Sequence, residues 1–131
     1  MKALDTNAIV RFLVQDDERQ ANKVKNILLN AEKSGEAYLI TDSVILETIW
    51  ILTSAYKCSR ENVINALNNL LILPVLKFQN HSRIVRLCKI GLKSSIDLAD
   101  IYIGLTAVEE GCETTLTFDK KAAKSDLFTL L

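Results

Sequence analysis

Met1-Lys2-Ala3-Leu4-Asp5-Thr6-Asn7 is the stretch on which the fold turns. The apolar pair Ala3-Leu4 runs straight into Asp5, and Ala8-Ile9-Val10-Arg11-Phe12-Leu13 follows with helical patterning. A short buried strand passing directly into a helix opens an α/β unit. It also delivers Asp5 to the C-terminal edge of the sheet, where open α/β sheets collect ligands. Two readings fit this stretch taken alone. Asp, Thr and Asn all cap helices by accepting hydrogen bonds from first-turn amides, so Asp5 or Thr6 is a cap, or Asp5 belongs to a site.

The same grammar recurs further along the chain. Ala21, Val24, Leu28 and Ala31 fall at helical spacing, and that helix stops near Ser34-Gly35. Ala37–Ile40 is a second strand, with Thr41 or Asp42 available to cap the helix after it, about Ser43 to Tyr56. Ser59-Arg60-Glu61 starts another helix, Pro74 ends it, and Val75–Phe78 is a third strand. Helices follow over about Asn80–Ile90 and Ser94–Val108. Thr114–Phe118 is a fourth strand that runs into Asp119, as the first runs into Asp5, and Leu127–Leu130 makes an edge strand. Strands alternating with helices predict a three-layer α/β/α sandwich around a mostly parallel sheet of four to five strands.

The chain has 131 residues, 49% of them hydrophobic and 24% charged, which suits one soluble globular domain spanning 1–131. Sixteen basic and sixteen acidic residues cancel, so overall charge points to no nucleic-acid partner, although local charge decides binding. Cys58, Cys88 and Cys112 are odd in number and form no CxxC pair, as expected of free thiols in a reducing compartment. With His81 the sole histidine, a zinc site is improbable. Neither a signal peptide nor a bilayer-length apolar run is visible, which predicts a cytoplasmic protein without a membrane partner.

Two further acids stand out by context. On the helix from Ser43, the residues Val44, Ile45, Leu46, Ile49, Trp50, Ile51 and Leu52 cover most of the circumference, which predicts a largely buried helix. Ser43, Glu47 and Ser54 then form a thin polar line within about 40° of arc. A carboxylate on such a helix is costly unless paired or bound to a metal; the bland alternative is a narrow wet groove with Glu47 solvated. Asp97 and Asp100 share a helix face, with Gly104 one turn on. Asp97 at a helix start is readily a cap. Asp100 lies among apolar neighbours, and a mid-helix glycine beside it costs about 1 kcal/mol relative to Ala, which implies a packing or access role for Gly104. From Asn62 through Ile96 there is no Asp or Glu, while Arg83, Arg86, Lys89 and Lys93 cluster on one side of a continuing helix. This gives a neutral protein a local basic surface, a weaker candidate for RNA or partner contact.

Asp5 and Asp119 leave strand ends, and Asp100 begins a helix; in a parallel sheet those positions share one edge. With Glu47 they predict a histidine-free pocket of four carboxylates. Such acids repel, so without a cation they should be partly protonated. Oxygen-only donors suit Mg²⁺ or Mn²⁺, ions that activate water and neutralise charge on a phosphodiester under in-line attack.

Leu4-Asp5-Thr6-Asn7, the isolated Glu47, Asp97-Leu98-Ala99-Asp100-Ile101-Tyr102-Ile103-Gly104 and Leu116-Thr117-Phe118-Asp119 resemble, in order, the successive signatures of a PIN domain. More narrowly the chain resembles the VapC-type toxins of prokaryotic toxin–antitoxin pairs. The resemblance implies an Mg²⁺- or Mn²⁺-dependent endoribonuclease, usually a homodimer, blocked by a cognate antitoxin of the VapB type or similar. It further implies Asp5, Glu47, Asp100 and Asp119 as catalytic and metal-binding acids, with Asp97 acidic only in some relatives. Thr6, Asn7 and Thr117 fall at supporting positions. Ala122-Ala123 depart from the pattern, standing where many relatives carry a Phe. Two other functions compete: a non-catalytic PIN-like binding or assembly module, and a phosphoryl-accepting receiver domain. The receiver needs an aspartate at the exit of its middle strand, and the third strand, Val75–Phe78, has none.

Overall fold

The computed structural model describes residues 1–131. Five strands and six helices occur in the order β1 (Lys2–Ala3), α1 (Thr6–Val14), α2 (Glu18–Ser34), β2 (Tyr38–Ile40), α3 (Asp42–Ser54), α4 (Arg60–Leu71), β3 (Leu76–Phe78), α5 (His81–Gly91), α6 (Leu98–Glu109), β4 (Thr115–Thr117) and β5 (Phe128–Leu130). A 3₁₀ turn, Ala122–Lys124, separates the last two strands. All strand pairs are parallel, as helical crossovers require. With helices packed about these parallel strands, the architecture is the three-layer α/β/α arrangement.

The strands are shorter than the sequence suggests. They fall into two hydrogen-bonded groups, β1-β2-β3 and β4-β5. β2 is the middle strand of its group, so β3, third in the chain, lies at an edge. With only two or three residues per strand, each ladder supplies few bonds, and interhelical packing shares the work. Central to that packing is α3, which contacts α1, α4 and α6. One contiguous apolar core runs from Leu4 and Ile9 through Ile40, Ile49, Leu70, Leu87 and Ile101 to Phe128.

Helix ends follow the local chemistry. Thr41 caps α3 by accepting from the Val44 amide at 3.4 Å, and Ser59 caps α4 from Asn62 at 3.1 Å. At the end of α2, Gly35 adopts φ +75°, the left-handed turn that favours glycine. Gly104 packs rather than opening access: a Cβ there would lie 2.9 Å from Leu127 Cβ and 3.1 Å from the Phe128 ring. The missing methyl lets α6 approach the segment entering β5.

Helix α3 corrects the expectation of near-complete burial. Ile45, Thr48, Ile49 and Leu52 face the core, but Glu47 is exposed and Trp50 is 61% exposed. An all-round apolar sequence did not produce an all-round buried helix. Here Glu47 is solvated, and the argument that burial forces it to pair falls away.

Candidate active site

The two strand-exit acids are built alike. Asp5 ends the segment after β1 and caps α1, with Oδ1 accepting from the Ala8 amide at 3.0 Å. Asp119 follows β4, and its Oδ1 accepts from the amides of Lys121 and Ala122 at 2.8 and 3.2 Å. In each, one oxygen is anchored by backbone donors and the other makes no intramolecular hydrogen bond. Capping and ligand readings of Asp5 are thus compatible, because a carboxylate has two oxygens with several acceptor sites. Thr117 shapes the second exit: its Oγ1 accepts from the Asp119 amide at 2.9 Å. Thr6 is buried beside Asp5, while Asn7 is exposed and makes no side-chain hydrogen bond.

Asp100 sits half-buried in the first turn of α6. Its carboxyl is pushed above the ordinary aspartate range, first by burial and then by the charges of Asp97 and Asp119; Lys121 works in the opposite direction. Asp97, Asp100 and Asp119 therefore share one electrostatic neighbourhood. Asp97 occupies the N-cap position of α6 without making a capping bond, and instead meets Lys121 Nζ at 3.3 Å in an exposed ion pair. Glu47 and Asp100 line one open groove of about 590 Å³ between α3 and α6, together with Ser43, Leu46, Trp50 and Ile103. Asp5 stands at the start of α1, which packs against α3.

No three acidic, histidine or cysteine side chains converge into a ready-made metal cage. The chemistry of the donors nonetheless fits a hard divalent cation. They are carboxylate oxygens, without imidazole or thiolate, and the charge acting on Asp100 is negative apart from Lys121. Of the expected set, the structure groups Asp97, Asp100 and Asp119 by charge and Glu47 with Asp100 by groove. It leaves Asp5 linked to them only through helix packing.

The basic stripe is corrected more sharply. Arg83 is only 5% exposed, and it bonds Glu109 through Nε and Asp42 through Nη1, the latter at 3.0 Å. Arg86 reaches the other Glu109 oxygen at 2.9 Å. Burial opposes the charged form of Arg83, but Glu109 and Asp42 outweigh it and hold the guanidinium pKa above its ordinary value. A buried, doubly paired arginine is not available to RNA. The compensating acids lie outside the acid-free stretch, at the start of α3 and the end of α6, where sequence distance hid them. Asp42 also accepts from Tyr102 Oη at 2.6 Å, which ties α3 to α6. Of the four basic residues, only Lys89 and Lys93 are exposed and free of ion pairs, and Lys93 lies beyond the end of α5. Lys121, overlooked in the sequence, sits among the acids. Its place just after Asp119 was the available signal.

This chain belongs to the PIN-domain family, whose model matches residues 2–126. Membership sets aside the receiver-domain alternative. Among curated proteins, the chain is similar to a protein named VapC ribonuclease from Aquifex aeolicus (strain VF5). The two are 22% identical over 124 residues, covering 95% of this chain and 91% of the relative. No solved structure gives a significant match. No helix is long and apolar enough to cross a membrane.

Proposed function

We propose that this chain is a divalent-metal-dependent endoribonuclease that hydrolyses RNA phosphodiester bonds, acting as the toxin of a toxin–antitoxin pair. The observation that carries this is Asp100, half-buried in the first turn of α6, lining one groove with Glu47 and pressed by the charges of Asp97 and of Asp119, which follows β4. Family membership and the VapC ribonuclease relative support the substrate class. Asp5, Asp100 and Asp119 would hold Mg²⁺ or Mn²⁺, with Glu47 as a further ligand or the group orienting water. Asp97 is an outer acid shared with Lys121. When bound, such a cation supplies Lewis-acid stabilisation of phosphodiester charge and a more acidic water.

The residues of the chain have definable tasks in this function. Backbone amides fix one oxygen each of Asp5 and Asp119, so the free oxygens are held in place without further ordering. Glu47 is exposed at the groove, and in this function it would accept a proton from water attacking an RNA phosphate. Lys89 and Lys93 remain available for phosphate or antitoxin contact. A homodimer and a cognate antitoxin, VapB-type or similar, complete the proposal.

The test is cleavage of RNA with Mg²⁺ or Mn²⁺ by wild type, Asp5→Asn and Asp100→Asn. The variants should lose on the order of a hundredfold or more, the scale of removing one strong electrostatic group from a reaction centre. Equal activity in all three would sink the assignment. A second reading, a non-catalytic module, is favoured by one contact: Lys121 already neutralises Asp97. There, millimolar Mn²⁺ would leave the melting temperature unchanged. In the nuclease, ligand linkage raises it.

A further inference from the structure

Helices α3 and α6 carry Glu47 and Asp100 on the two walls of one groove. A single hydrogen bond joins these helices: Tyr102 Oη on α6 donates to Asp42 Oδ1, at the start of α3, at 2.6 Å. No other hydrogen bond and no ion pair links the two. The remaining contact across the groove is largely apolar, through Leu46, Trp50, Ala99 and Ile103. Apolar contact is non-directional, so it resists separation yet allows packed helices to slide. The bond lies close to both acids. At the helical rise per residue, Glu47 is about 7.5 Å along α3 from Asp42, and Asp100 about 3 Å along α6 from Tyr102. A hollow of about 250 Å³ lined by Asp42, Arg83 and Tyr102 shares Ser43, Leu46 and Ile103 with the groove, so the bond closes one end of a continuous trough. Both partners are fixed independently. Tyr102 is buried, with the Arg83 guanidinium 5.7 Å from its ring centre. The second Asp42 oxygen accepts from Arg83 Nη1 at 3.0 Å and from Asn80 Nδ2, and the Asp42 amide donates to Gln79 Oε1 at 2.9 Å. Such supporting contacts lock the side chains that set a site's geometry.

We infer that Tyr102 and Asp42 are positioning residues, whose hydrogen bond fixes the spacing and register of α3 against α6 and so sets Glu47 and Asp100 opposite one another across the groove. The inference rests on the nuclease function proposed above and adds to it two residues that act through Glu47 and Asp100. Rigid helices transmit a shift at one end of the groove to the other, and misplacing a reacting group by about 1 Å costs about a hundredfold in rate.

The experiment compares wild type, Tyr102→Phe and Asp42→Asn. Tyr102→Phe removes the hydroxyl alone and keeps the ring that fills the core. Asp42→Asn removes the charge that Arg83 meets, yet an amide in either orientation still bonds the Tyr102 hydroxyl, which both donates and accepts. The measurements are kcat and KM on a mixed-sequence RNA with Mn²⁺, the melting temperature without metal, and acrylamide quenching of Trp50. Trp50 is the sole tryptophan and lines the groove, so its quenching reads the groove without metal or RNA. Positioning predicts that Tyr102→Phe loses kcat about tenfold or more with KM nearly unchanged, and that its Trp50 is quenched more strongly. Asp42→Asn should melt below Tyr102→Phe and nonetheless keep more of kcat and the quenching of wild type. Activity that instead follows melting temperature, with Asp42→Asn the slower enzyme, would reduce the bond to a structural one and overturn the inference. Unchanged kcat or unchanged Trp50 quenching in Tyr102→Phe would do the same, while a cleaving wild type stays a nuclease. Should wild type cleave no RNA, the nuclease function fails and the Trp50 response alone decides. Stronger quenching in Tyr102→Phe but not in Asp42→Asn would then keep the bond as what sets the groove, and equal quenching would remove it.

Discussion

Two polar clusters on helix α6 and its neighbours invite comparison. At one, Arg83, Arg86, Asp42, Glu109 and Tyr102 join α3, α5 and α6 through mutually satisfied charges and hydrogen bonds. At the other, Asp97, Asp100 and Asp119 face one another with Lys121 as the nearby cation. The first cluster is finished: each acid meets a donor, and it binds helices together. The second carries surplus negative charge at the edge where the strands end. Stability is built where charges are paired, and binding capacity lies where they are not.

The largest effects should come from breaking the finished cluster. Arg83→Ala would leave Asp42 and Glu109 without their buried partner. About 3 kcal/mol of stability should be lost, seen as a fall of about 10 °C in thermal melting. Were the variant as stable as wild type, the cluster would be ornamental. An Arg83→Met variant sharpens the point: it fills the volume without the charge, and should remain destabilised because Asp42 and Glu109 lose the buried cation they share and keep only Tyr102 and Arg86.

A smaller loss is expected at the helix contact beneath the unfinished cluster. Gly104→Ala inserts a methyl against Leu127 and Phe128. Overpacking costs about 1–3 kcal/mol, and better helix propensity returns about 1 kcal/mol. A modest net destabilisation in urea titration should result, and a stabilised variant would contradict the packing role.

At the unfinished cluster the sign reverses. Because the folded-state pKa of Asp100 is raised above 3.8, the folded protein holds that proton more readily than the unfolded chain. Stability from this group is therefore greatest at low pH and falls as pH rises from about 3.8 through the raised value. Asp100→Asn should thus melt at or slightly above wild type at neutral pH without metal. Comparing the two melting curves across pH 3 to 7, roughly the range in which carboxyl groups titrate, should show the gap opening as pH rises. A gap that closes would show that Asp100 is stabilised by its surroundings.

The smallest effect is expected at a third cluster, on the surface, where Tyr56 donates to Asp16 at 2.8 Å and Arg11 meets the same acid at 3.0 Å. The Tyr56 hydrogen bond is the main cause lowering the Asp16 pKa, burial opposes it, and Arg11 adds to the lowering. Its contribution is present above the ordinary aspartate value and is lost as pH falls through the lowered one. Tyr56→Phe should make that acid limb slightly shallower.

Much of this was legible in the sequence because it depends on neighbours along the chain. Hydrophobic spacing marked the helices, Gly35 and Pro74 their ends, and strand-forming runs closed by Asp5 and Asp119 the strand exits, although β1 is exposed rather than buried. Local chemistry likewise determined that these two acids orient one oxygen toward the next turn's amides. Tertiary structure alone decided which charges meet. The partners of Arg83 lie 41 and 26 positions away, so its stripe looked free when it was paired and buried. Periodicity on α3 gave the number of apolar faces but not how many neighbours would cover them, and Trp50 and Glu47 were left in solvent. Pairing and burial depend on elements distant in sequence, and neither composition nor spacing encodes those distances.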